Sequence, residues 1–136
     1  MKGDAEVIKA LNGVLTGELA AINQYFLHSR MCKDWGYERL ASKVYKESID
    51  EMKHAQALID RVLFLEGVPN VQKLGPINIG QNVLEQLESD LELENQAIPR
   101  LKKAIELCVE KADHVSRELL EKILISEEEH VDWLES

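Results

Sequence analysis

Glu18, Glu51 and His54 recur 76 residues later as Glu94, Glu127 and His130 (94 − 18 = 127 − 51 = 130 − 54 = 76). In each set a Glu precedes a Glu-x-x-His by 33 residues (51 − 18 = 127 − 94 = 33). Residues three apart on a helix share a face, so each Glu-x-x-His presents a carboxylate and an imidazole together. If the upstream Glu lies on a neighbouring antiparallel helix, the offset is a two-fold relation between two helical hairpins. No long run of shared sequence accompanies it, so what repeats is a geometry.

The rest of the chain supports four helices. It is rich in Leu, Ala, Glu and Lys with only 5% aromatic residues, which favours helix over strand. Asp4 is placed to cap a first helix over about 5–34, with Leu11, Leu15, Ile22 and Tyr25 at helical spacing and Gly36 as a stop. A second runs over about 39–65, carrying Leu40, Val44, Leu58, Val62 and Leu65, until Gly67 and Pro69 break it. Residues 66–81 read as a long connection. A third helix follows over about 82–110, with Pro99 expected to bend it or cost one hydrogen bond, and a fourth over about 113–135, capped by Asp113. Two tight turns around one long crossover give an all-α, ferritin-like four-helix bundle, a single domain over residues 1–136.

Glu18 falls on the stripe of Leu11, Leu15 and Tyr25, and Glu94 falls amid Leu87, Leu91 and Leu101, so both are expected to be buried with the two Glu-x-x-His pairs. Buried carboxylates in such number need neutralising, and two divalent cations would balance them. Carboxylate oxygens with imidazole nitrogens suit iron or manganese, and zinc could also bind. This is the ligand pattern of carboxylate-bridged di-metal bundles as a class. Tyr25 is open to two readings: a core tyrosine, or a partner that hydrogen-bonds a ligand carboxylate or gives up an electron. Asp50 is a candidate to support a ligand, and Ser126 stands at its counterpart position. Met52, about 100° around the helix from Glu51, cannot join the cluster and must face outward near Tyr45 and Ile49. With Ile22 and Phe26 it forms an apolar strip, either packing at an interface or placing a thioether as a haem ligand.

A net charge of −9 argues against general nucleic-acid binding and is compatible with attracting cations. No apolar run reaches the length of a bilayer span, and the N-terminus lacks the layout of a signal peptide. Cys32 and Cys108 sit inside helical patterns rather than a spaced framework, so a cytoplasmic location is expected.

The stretches "MKGD", "ELAAINQYFLHSRM", "ESIDEMKHA", "FLEGVPN", "DLELE", "SRELLE" and "SEEEHVDWLE" resemble the bacterioferritins along almost the whole chain. The resemblance implies a ferroxidase that oxidises Fe²⁺ with dioxygen or hydrogen peroxide and stores the product as mineral. It implies Glu18, His54, Glu94 and His130 as terminal ligands of two iron ions, with Glu51 and Glu127 bridging. It further implies haem b shared between two subunits through Met52 of each, aiding iron release, with a ferredoxin as electron donor. Bacterioferritins that resemble this chain continue past "DWLE" into a fifth helix lining the four-fold channels of a 24-subunit shell. The sequence stops at Ser136, so the expectation is a haem-sharing homodimer as the stable unit and a weaker cage. The competing readings are a di-iron oxidase or peroxide scavenger without storage, and a haem-bridged structural assembly with no catalysis.

Overall fold

A computed structural model describes residues 1–136 as four helices and no strands: α1 (Ala5–Asp34), α2 (Glu38–Phe64), α3 (Val83–Glu110) and α4 (His114–Glu135). The expected boundaries hold to within one residue. Asp4 caps α1, its carboxylate accepting from the backbone N–H groups of Glu6 (2.8 Å) and Val7 (3.2 Å). Asp113 caps α4 through the N–H of Ser116, and Asn82, not anticipated as a cap, does the same for α3 through Glu85.

The first three helices stop in the same way. Gly36, Glu66 and Ala112 adopt positive φ (90°, 62° and 57°), and the next residue's N–H reaches back to the carbonyl of Cys32, Val62 and Cys108 respectively. These are left-handed C-terminal caps closing orphan carbonyls. Only the first uses glycine, so Glu66, rather than Gly67 or Pro69, reverses the chain after α2. Pro99 leaves α3 continuous while withholding an N–H from the carbonyl of Asn95.

α1 and α2 pack as one antiparallel hairpin and α3 and α4 as the other, with α1 against α3 as the main seam between them. The segment 66–81 returns along α1. Asn12 holds its start, donating to the Val68 carbonyl and accepting from Asn70 N–H, while Gln24 and His28 accept from the N–H groups of Asn78 and Gly80 at its end. A side chain at Gly80 would strike the backbone of Glu85 and Gln86, so glycine allows the close approach there.

The core divides along the bundle. Val7, Leu11, Val14, Leu15, Leu58, Val62, Leu101, Leu120 and Ile123 fill one half with apolar side chains. Each full burial of this kind contributes roughly 1.5–3 kcal/mol. Toward the other end only Ala21, Tyr25 and Val44 form a small apolar cluster, and polar groups take over. Leu87 and Leu91, expected to flank Glu94 in the core, are only half-buried; the fully buried positions of that part of α3 are Gln86, Asp90 and Glu94. No helix is long and apolar enough to cross a membrane.

Candidate metal centre

The two hairpins bring all six repeated residues to the bundle's midpoint. Glu18, Glu51, His54 and Glu127 form one group and Glu51, Glu94, Glu127 and His130 the other, each with its ligand atoms within 4.8 Å of one another. Glu51 and Glu127 belong to both. Five of the six residues are buried, and His54 retains a partly open edge.

His54 Nδ1 lies 3.1 Å from Glu127 Oε1 and 3.5 Å from both Glu18 Oε2 and Glu51 Oε2. His130 Nδ1 lies 3.2 Å from Glu94 Oε1. Despite this crowding, Glu18 Oε2, Glu94 Oε2, both Glu127 oxygens and His54 Nδ1 have no hydrogen-bond partner with acceptable geometry. Native interiors rarely tolerate such orphans, and here they converge on shared space. The donors are hard oxygens and imidazole nitrogens, so the set fits iron.

The electrostatics agree. Burial raises the Glu18 carboxyl above its ordinary value, partly opposed by His54 and Arg100. Burial also raises Glu94 well above its usual range, and nearby Glu127 adds to the rise. Glu127 is raised by burial and by the Glu18 charge. For His54, burial alone would lower the pKa, but polar contacts with Glu127 and Glu18 lift it to about 10. Burial thus favours the protonated forms of Glu18, Glu94 and Glu127, so cation binding there competes with protons.

Tyr25 settles into the second of its two readings in part: buried, it donates a hydrogen bond to Glu94 Oε1. Burial, then the charges of Glu94 and Asp90, push its hydroxyl well above the ordinary range, which keeps it a donor. Its ring meets His130 edge-on at 5.1 Å, and Trp133 stacks with His130 at 6.2 Å. Asp50 and Ser126 bond to neither histidine. Outside the six, the carboxylate near His130 is instead Glu47, one turn before Glu51, 3.7 Å from the same Nδ1 that meets Glu94 and paired with Lys43 at 2.9 Å. The i − 4 spacing to Glu51 was the available signal. A second group unforeseen from the sequence lies beside Tyr25. Asp90 Oδ1 accepts from Gln24 Nε2 and contacts His28 Nδ1, both at 2.9 Å. His28 Nε2 accepts from Gly80 N–H, which leaves Nδ1 to donate to Asp90.

Fold and side chains together define a ferritin-like four-helix bundle with a carboxylate–histidine cluster suited to two cations. The ferritin-like domain family matches residues 8–136. The whole chain aligns at 52% identity with a bacterioferritin of Mycobacterium leprae and with bacterioferritin BfrA of Mycobacterium tuberculosis, covering 86% of each. A Brucella melitensis bacterioferritin is 50% identical over the same 136 residues, 84% of its length. This chain belongs to the bacterioferritin family of iron-storing ferroxidases.

Proposed function

We propose that the six side chains are a di-iron ferroxidase centre, with Glu51 and Glu127 bridging two irons and Glu18, His54, Glu94 and His130 each binding one. The observation that carries this is the sharing of Glu51 and Glu127 by two four-residue clusters within one bundle. Two Fe²⁺ ions, the substrate, release two electrons. These reduce one hydrogen peroxide to two waters, or one dioxygen to hydrogen peroxide, taking up two protons in either case. The protein binds the ions with oxygens it leaves otherwise unpartnered, holds Glu94 in place through Tyr25, and excludes larger substrates. The cavity that reaches the carboxylates is about 40 Å³, room for water or a small oxidant. That size disfavours an oxygenase acting on an organic molecule.

Met52 would ligate haem b in a dimer. Its side chain is 50% exposed, on a strip with Tyr45 and Phe26, whose rings meet edge-to-face at 6.2 Å. A two-fold axis beside this strip would face two thioethers toward each other. The free, buried Cys32 and Cys108 accord with a reducing cytoplasm, where a ferredoxin could supply electrons for iron release. A homo-oligomeric shell would retain the mineral; light scattering before and after iron addition measures it, and a scavenger without storage would leave a precipitate.

Glu127→Ala tests the centre. Fast Fe²⁺ oxidation should fall by at least roughly a thousandfold, about 4 kcal/mol of barrier, with helix content intact. Oxidation at the unaltered rate would exclude the assignment. Met52→Leu keeps volume but removes sulfur, so the haem Soret band should vanish while ferroxidase activity stays. An unchanged haem spectrum would place the ligand elsewhere.

A further inference from the structure

The cavity beside the carboxylates has one distinctive wall. Its deep end is formed by Glu18, Glu51, Glu94 and Glu127, and its outer end by exposed Pro76, Gln96 and Arg100. It therefore leads from the surface, between α1 and α3, to the proposed iron ligands. Arg100 lines that path at its outer end, beside Gly17. A Cβ built on Gly17 would collide with Arg100 Nη1, so the guanidinium occupies the notch that the missing side chain leaves on α1. Arg61 and Arg117 are paired with Asp113 and Glu121, whereas Arg100 has no carboxylate partner within 4.0 Å.

We propose that Arg100, seated over Gly17, is a charge gate that closes the α1–α3 opening to cations while leaving it passable to a small neutral oxidant. The physical reason is the sum of two effects. A space of about 40 Å³ cannot pass a fully hydrated divalent ion, which would have to shed water at the mouth. A fixed positive charge there opposes that stripped ion most strongly, because the low-dielectric walls focus the field. Dioxygen and hydrogen peroxide carry no charge and meet no such barrier. The opening thus discriminates between the two reactants of one reaction, and the metal arrives by another face.

This inference rests on the di-iron reading of the six ligands, and the experiment separates the two. Stopped-flow absorbance follows Co²⁺ binding to the metal-free full chain at low ionic strength, with no turnover required. Arg100→Gln should speed binding roughly fivefold and Arg100→Glu roughly twentyfold, both differences collapsing in about 0.5 M salt. Arg100→Lys, which keeps the charge, should stay near the original rate. Lys103→Gln removes the same charge from exposed α3 surface outside this cavity, and should also leave the rate unchanged. Original rates in both Arg100→Gln and Arg100→Glu, or an equal acceleration in Lys103→Gln, would overturn the gate while leaving the metal centre standing. Failure of Co²⁺ to bind any variant, the unaltered chain included, would overturn the metal centre and the gate with it.

Discussion

The two halves of this bundle are built on opposite principles. From Val7 to Leu15 on α1, and across to Leu58, Val62, Leu101, Leu120 and Ile123, the interior is aliphatic and needs no partner beyond close packing. From Glu18 onward the interior holds four clustered carboxylates, two imidazoles and then the Gln24–His28–Asp90 cluster. The first half gains from burial; the second bears desolvation that only partners or cations can offset. One continuous set of helices joins them, so the apolar half holds the polar half in register. Stability and function are therefore separable along the bundle axis.

The largest effect expected from this division lies in the apolar half. Leu58 is fully buried, and Leu58→Ala should lower unfolding free energy by about 3 kcal/mol, from lost transfer energy plus the cavity left behind. Chemical denaturation would measure it. A loss under about 1 kcal/mol would mean that this half is not the stabilising one. The proposed metal site should respond with the opposite sign. Four carboxylates face two imidazoles there, so negative charge is in excess once the protons are gone. After chelation, Glu127→Gln should raise stability at pH 7 by roughly 1–2 kcal/mol. Since the folded-state pKa of Glu127 is raised, its contribution is favourable at low pH and lost as pH rises through that value. The advantage of Gln should accordingly vanish in acid. A destabilised Glu127→Gln chain at neutral pH would show that the carboxylate is held by partners rather than waiting for a cation.

The smallest effect concerns Asp113, at the apolar end. Burial opposes its charge, but Ser116 N–H and hydroxyl and the Arg61 guanidinium outweigh it and lower the pKa from 3.8. A lowered carboxylate stabilises in full above the unfolded value and loses that contribution as pH falls through the folded one. Asp113→Ala should cost about 1 kcal/mol at pH 7 and progressively less below about pH 4. A constant cost across that range would assign the loss to packing alone.

Local patterns carried the helices, the caps at Asp4 and Asp113, and the six residues that cluster at the bundle's midpoint. Each of these depends on spacing along one helix, or on a repeat of that spacing, and such periodicity is written in the chain. The outward placement of Met52 was legible for the same reason. Gln24, His28, Asp90 and Glu47 were not. A polar side chain at helical spacing has the same local signal whether its face meets solvent or another segment. For Gln24 and His28 the decision came from the path of residues 66–81, whose backbone N–H groups at Asn78 and Gly80 lie against them, and from Asp90 on α3. Likewise, nothing near Gly17 in the sequence places Arg100 over it; the α1–α3 seam does. By itself the sequence determined which residues share a helix face, because that is set by covalent spacing and backbone geometry. Only the tertiary structure decided which polar faces would be covered and by what, because burial depends on segments distant in the chain.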